Sequence, residues 1–574
     1  SVSAFLLNRS SDLDLIPNSV TRIGSNAFYG SAWYNSQSVG IIYLDGWCIG
    51  YKGAKPTGTF VLEDNTRGIA ETAFLGCSGL TGSLIIPNSV TTIGNQAFQN
   101  CSGLTGSLTI PNSVTTIGNN AFLGCSGFTG SLSIPNSVTT IGNGAFSNCS
   151  GLSSILMCSI TPPTLGSTAF YGTSNTLKIY VPYESLEAYK TATNWNNYQS
   201  IIYPMMQKSI SGYGTGNGGW HFIASPLADD TDPTTVDNMI TETDYDLYQF
   251  NQLATGGEWQ NYKANTEDFV LANGQGYLYA NAEEVNLVFK GEFNEEEFKE
   301  VKLVYEANAH YSGWNLVGNP FPVAAYANRS YYTLNTEGTA IEPNMASSAT
   351  LIPACTGIMV KADNADETVT FGKTAPIEQS NQGNLQIAIK QVVDRVGPST
   401  GSGTLVDEAI VSFNAGDKLE KFVFNKDNAQ LYIPSGKNNY AIICAEKTGE
   451  MPLNFETKKN GTYTITVDAE LADLEYLHLI DNITGDDVDL LTQPAYTFKA
   501  RTTDYASRFR LVFSADETGG PSTSSGTFAF CNNGGNLTIF GIEGEATLQV
   551  VDVLGHVLSS EQFIGSYEKK LDVA

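Results

Sequence analysis

The side chains of this chain with catalytic potential are few and scattered. His221, His310, His478 and His556 are the four histidines in 574 residues, and none stands in an HExxH or CxxCH context that would make it a metal or haem ligand. There is no GxSxG turn to present a serine nucleophile, and no cysteine lies beside a histidine that could take its proton. Carboxylates cluster in NEEEFKE (294–300) and GDDVD (485–489), but in such acidic turns they read as solvated faces. LADDTDPTTVDN, with Asp229, Asp230, Asp232 and Asp237, offers the oxygen ligands that calcium takes without an ordered ligand spacing. Gly212, Gly214 and Gly216 imitate a phosphate loop, yet the HFIAS that follows reads as a strand where a helix N-terminus is needed. The expectation is a protein that is not an enzyme and uses neither metal nor cofactor.

Four of the nine cysteines are regular: Cys77, Cys101, Cys125 and Cys149 recur every 24 residues. If each repeat is one rung of a stack, neighbouring thiols lie about 5 Å apart, the spacing of adjacent strands. That is within the Cα range of a disulfide. Side chains in such a ladder all point one way, however, and small buried thiols fill the column without bonding. Free thiols are therefore expected, and the absence of CxxC argues against zinc.

What positions these residues is a repeat. IPNSVTTIGNQAFQNCSGLTGSLT (86–109) recurs almost letter for letter at 110–133 and again from Ile134. Aligned on the Ala-Phe pair, the series Phe5, Phe28, Phe74, Phe98, Phe122, Phe146 and Phe170 has spacings of 23, 46 and then 24. A period of 20–29 with fixed apolar positions is the signature of leucine-rich repeats, whose units bury their apolar side chains only by stacking. Ile69, Ile93, Ile117, Ile141 and Leu165 should form one inward ladder and Leu84, Leu108, Leu132 and Leu156 another. In the long gap, IIYLDGWCIGYKG predicts a hairpin turning at Asp45-Gly46 and projecting from one coil. YESLEAYKTATNW predicts a helix whose Leu186, Tyr189 and Trp195 cap the stack. The first match falls in mid-repeat, and SVSAFLLNRS is too short in apolar residues, and has no basic region, for a signal peptide. Trimming upstream is expected.

These residues resemble the BspA-like leucine-rich repeat family, whose pattern IPxSVTxIGxxAFxxCxxL is close at Ile86–Leu104 and Ile110–Phe128. The resemblance covers residues 1–204. It implies a solenoid on a surface or secreted protein of gut or oral anaerobic bacteria, with adhesion to host or bacterial proteins as the expected role.

Charge divides the chain. Residues 1–204 hold eight acidic and seven basic side chains, and none at all lies between Glu71 and Lys178; of the total of -28, the remaining 370 residues carry -27. Neither part offers the phosphate-neutralising cations that nucleic acid requires or a polybasic membrane patch. No apolar run approaches the length of a membrane helix.

After Tyr203 the pattern changes to alternating strands and turns. GWHFIASP (219–226) is echoed by GWNLVGNP (313–320), and GYLYAN (276–281) by GIMVKAD (357–363), which predicts a duplicated β-sandwich module over 205–378. LQIAIKQVV, AIVSFN, KFVFN, QLYIP, YAIICAE, TYTITV, YLHLIDN and FRLVFS predict a second β-sandwich over 379–516. AQLYIPSGKNNYAI, MPLNFETKKNGTYTITV and LIDNITGDDVDLLTQPAYTFKA resemble modules that precede the sorting tail of proteins exported by the type IX system. NLTIFGIEGEATLQVVDVLGHVLSSEQFIGSYEKKLDVA resembles that tail, one strand short, so 517–574 reads as linker and truncated tail. PSTGSGT (398–404) and PSTSSGT (521–527) read as flexible segments.

The fold expected is mainly β: a repeat solenoid over 1–204 followed by antiparallel sandwiches. In SLIIP and its successors, Leu84 and Ile86 point inward, so alternation turns Ser83, Ile85, Ser107, Thr109, Ser131 and Ser133 outward as the candidate ligand-binding face. The expected partner is a protein on a host or bacterial surface, bound by a monomer that is secreted or held at the outer membrane. The alternative is a glycan stacked on Trp220, Trp259 and Trp314 of the β-modules, set against the plainer reading that these rings fill cores.

Overall fold

The computed structural model describes residues 16–514 except 18, 215–218, 242–243, 255–256, 265, 268, 348–349, 376–382, 393–402, 414–417 and 471. Beyond 514 it describes the backbone of strands Phe528–Cys531, Asn536–Phe540, Glu545–Val551, Val557–Ile564 and Tyr567–Lys570. Ala4-Phe5, PSTSSGT and most of PSTGSGT lie outside the described residues. The chain is mainly β and falls into two compact units, Ser1–Gln207 and Lys208–Ala574.

In the first unit a two-residue strand recurs once per repeat. Gly68–Ile69, Thr92–Ile93, Thr116–Ile117, Thr140–Ile141 and Thr164–Leu165 pair in parallel, each with the same position of the next repeat. The glycine after the isoleucine sets how closely the units approach: a Cβ on Gly118 would lie 2.6 Å from the backbone nitrogen of Asn95, and one on Gly142 2.5 Å from that of Asn119. No other residue fits there without pushing the rungs apart. Inside, Phe74, Phe98, Phe122 and Phe146 stack with centroids 5.3–5.5 Å apart and planes within 11°, and the isoleucine ladder is fully buried beside them.

Three expectations change in detail. The second inward ladder does not end on Leu156: strand Leu152–Met157 shifts register between Leu152 and Ser154, so that Leu132 pairs with Ile155 and Ser133 with Leu156. A one-residue slip of this kind exchanges the two faces of a strand. The hairpin is present, Gly40–Leu44 with Trp47–Lys52 around Asp45 (φ 45°) and Gly46 (φ 73°). It does not simply project, because Trp47 and Cys48 pair in parallel with Gly68 and Ile69 and so extend the repeat sheet. The cap is a six-residue helix, Leu186–Thr191, between two 3₁₀ turns, Tyr183–Ser185 and Trp195–Ile201. Extended backbone at Ala192 and a left-handed Asn194 (φ 67°) stop it early. Tyr189 and Trp195 are still fully buried, their polar atoms donating to the carbonyls of Ser159 and Pro163 at 2.8 Å. Leu186 is half-buried against the same core.

In the second unit the duplication has a structural counterpart. His221–Ala224 pairs antiparallel with Gly276–Asn281, and the echoing Trp314–Gly318 pairs antiparallel with Gly357–Lys361. Single bridges Ile223–Thr356 and Gln275–Val317 join the two pairs. The glycines that open these strands allow the crossing, since a Cβ on Gly276 would lie 2.5 Å from the Val317 carbonyl oxygen. The strands from Asn384 to Val512 form one extensive, mostly antiparallel sheet assembly. KFVFN is not a strand. Phe422 and Phe424 instead insert among aromatics of the preceding stretch: Phe422 lies 4.9 Å from Trp314 and 5.3 Å from Tyr311, and Phe424 5.9 Å from Phe222. The stretches separated in sequence at 378/379 thus share a core. Two buried ion pairs accompany it, Lys421 with Asp407 at 2.5 Å and Arg508 with Asp481 at 2.7 Å. Among the described residues no helix is long and apolar enough to cross a membrane.

Candidate interaction surface

All six residues expected on the outer face are there in two columns. Leu84, Leu108 and Leu132 are buried, as are Ile86, Ile110 and Ile134. Between them Ser83, Ile85, Ser107 and Thr109 are exposed, and Ser131 and Ser133 are half-exposed. Ile85 keeps 66% of its surface in solvent. Thr109 and Ser133 are bridged in parallel, which places their side chains one rung apart. Toward the C-terminal end the hydroxyls are engaged within the chain: Ser154 donates to Ser131 Oγ at 2.9 Å, and Ser133 Oγ is 3.6 Å from Cys158 Sγ. Ser83 and Ser107 carry no such internal bond among the described residues and keep their full hydrogen-bonding capacity.

The face runs further than the six residues. Val61 occupies the Ile85 position one repeat earlier and is 75% exposed. At the other end the register shift puts Leu156, itself buried, in line with Ser133, followed by Tyr180 and Tyr203. The two tyrosine rings are 6.0 Å apart, and Lys178 Nζ lies 5.4 Å from the Tyr203 ring, a cation–π contact. Val61 was legible in TGTFVL against TGSLII. Tyr180 and Tyr203 were not, because their alignment depends on the slip at Ser153.

A second face was missed altogether. Asn95 Oδ1 accepts from Asn119 N–H, Asn119 Oδ1 from Asn143 N–H and Asn143 Oδ1 from Ser167 N–H, each at 2.8 Å. Thr91, Thr115 and Thr139 each donate to a backbone carbonyl of the preceding repeat at 3.1–3.2 Å. The asparagine bonds satisfy backbone N–H groups that a two-residue strand leaves unpaired, and each threonine hydroxyl adds a second bond to a carbonyl that already accepts from the same residue's N–H. The asparagine and threonine rows line a shallow groove of about 590 Å³, closed at one end by the Arg22–Glu71 ion pair. The IGN triplet at constant spacing was the available signal.

The thiol column is buried and free. Cys101, Cys125 and Cys149 donate to the carbonyls of Phe74, Phe98 and Phe122 at 3.0–3.1 Å. Burial pushes the thiols of Cys101 and Cys149 up to about 12, so they stay protonated and unreactive. Of the tryptophans weighed as a sugar platform, Trp314 is buried, and Trp220 and Trp259 pack against the core that holds Phe422. His221 Nε2 accepts from Ser211 N–H at 3.2 Å, and the imidazole is held below its ordinary range, mainly by burial and then by Lys208. Asp232 N-caps the turn at Thr234, and Asp237 pairs with Lys290 at 2.7 Å. Two carboxylates of the acidic loop therefore have protein partners.

Stacked parallel rungs with invariant inward apolar positions define a leucine-rich repeat region. Residues 51–176 match, in six copies, the BspA-type leucine-rich repeat region. No curated protein matches the chain.

Proposed function

We propose that this chain is a secreted or surface-held bacterial binding protein whose repeat region, read as a solenoid, recognises a protein on a host or bacterial surface. The observation that carries this reading is the outer face itself: two columns centred on Ser83, Ser107, Ile85 and Thr109, solvent-facing, repeated rung by rung and free of charge. Such a face offers hydroxyl hydrogen bonds and apolar contact to a partner at little desolvation cost. The match to a family rich in surface adhesion proteins points the same way. On this reading the later domains are β-sandwich modules forming a stalk, the last strands are a type IX sorting tail, the protein acts as a monomer, and no catalysis is involved. The glycan alternative through Trp220, Trp259 and Trp314 loses ground, because Trp314 is buried and the other two rings are half-buried against the core around Phe422.

The test is a pull-down from mucosal and bacterial surface proteins beside a glycan array, with Ser107→Glu and Thr109→Lys as variants. Loss of the captured protein with either variant supports the reading. Capture indifferent to both, but abolished in a chain lacking residues 209–514, would move the function to the second unit.

A further inference from the structure

The stretch that departs furthest from the 24-residue period also builds a groove. Between Phe28 and Phe74 the chain adds a short helix, Ala32–Ser36, and the hairpin of Gly40–Leu44 with Trp47–Lys52. In repeat proteins such insertions gather on one face and commonly bear the binding site. Here they enclose about 600 Å³ between the helix, the hairpin and the next rung, a size suited to a small ligand.

Its walls are aromatic and amide. Tyr29 is 73% exposed and tilts against Tyr34, ring centroids 5.4 Å apart at 52°; Tyr51 lies along the same groove. The Asn26 amide makes no side-chain hydrogen bond among the described residues, and Asn35 spends only its Nδ2, on the carbonyl of Gly30 at 3.3 Å. The charged groups in the lining are already engaged. Lys52 Nζ donates to the carbonyls of Tyr34, Asn35 and Gln37 at 3.3, 2.7 and 2.6 Å, and Glu71 is held by Arg22 and by Asn95. No free charge is left for an ionic ligand. What remains is ring faces for C–H stacking and amides for hydroxyl groups, the combination that fits a sugar ring.

We propose that this groove binds an uncharged saccharide, its ring stacked on the exposed face of Tyr29 and its hydroxyls bonded by Asn26 and Asn35. The site is separate from the outer columns and would be a second ligand site of the repeat region. The molecule supplies its own control: AFYG at 27–30 recurs at 169–172, and Tyr171, 70% exposed, stands in a regular coil and outside the groove.

Saturation-transfer NMR and titration calorimetry on the full chain, with neutral gluco-, galacto-, manno- and N-acetylglucosamine oligosaccharides and their sulfated counterparts, test it. Binding of a neutral sugar that weakens about tenfold or more in Tyr29→Ala, is retained in Tyr29→Phe and is unchanged in Tyr171→Ala supports the site. Since Tyr29 is mostly exposed, the variant is expected to keep its melting temperature. No binding by any neutral member of the panel, equal losses at Tyr29 and Tyr171, or binding confined to the sulfated sugars overturns it.

Discussion

Between Glu71 and Lys178 the repeat region has no charged side chain, whereas the residues after 204 carry nearly all of the net charge; the two regions are also held together differently. In the repeat region a recurring set of polar contacts joins each repeat to the one before it: asparagine to backbone amide, threonine and serine to backbone carbonyl, thiol to the phenylalanine carbonyl. These bonds are neutral and recur from rung to rung. The second unit has no such period. Its cohesion comes from antiparallel pairing between distant strands and from a few singular buried groups, Arg508 with Asp481 and Lys421 with Asp407. A periodic neutral stack spreads its stability over many small equal terms, whereas in the aperiodic unit a single substitution at a buried ion pair is costly because it leaves a charge buried without its partner.

The sharpest way to break this contrast is at the singular groups. Arg508→Ala would leave Asp481 buried without its partner and should cost about 3–5 kcal/mol, read as a lowered midpoint of the second unit in denaturant. Replacing both residues with leucine should recover much of the loss. In the repeat region the comparable change is Phe122→Ala, which opens a cavity between Phe98 and Phe146 and should cost about 3–5 kcal/mol. Here the loss is expected to be nearly the same at Phe98 and at Phe122. Very unequal losses would show that the stack is not made of equivalent rungs.

A smaller effect separates the regions by pH. Burial, reinforced by Glu342, raises the carboxyl of Glu408 to about 7. An acid with a raised folded-state value holds its proton more tightly in the folded chain, so its contribution is complete below about pH 4 and is lost as the pH rises through 7. The second unit should therefore lose roughly 2–3 kcal/mol between pH 5 and 8 through this group. Glu408→Gln should flatten that slope, and the neutral rungs should show none of it. Smaller still is the asparagine row: Asn119→Ala removes the acceptor of the Asn143 N–H and should cost about 1 kcal/mol, independent of salt. Weakest of all, a protein bound to the outer columns should dissociate at nearly the same rate at low and at physiological ionic strength, since there are no charges to screen. A strong salt dependence would assign that partner to the acidic unit.

The sequence by itself determined the period, the inward phenylalanine, isoleucine and cysteine positions, the outward set from Ser83 to Ser133, the Asp45-Gly46 turn and the internal echo of GWHFIASP. Each is a local or periodic property: side chains alternate along a strand, and a strict repeat puts equal residues in equal places. The tertiary structure decided whatever depended on contacts between unlike segments. The slip at Ser153 exchanged Leu156 for Ile155, because hydrogen bonding to strand Gly130–Ile134 and not the letter alignment sets register. KFVFN alternates like a strand but became a plug, since the aromatic core of Trp314, Tyr311 and Phe222 offered its rings deeper burial than a sheet edge would. The groove at Tyr29 exists only because an inserted helix and hairpin close around a rung far along the chain, and no spacing in the sequence encodes that enclosure.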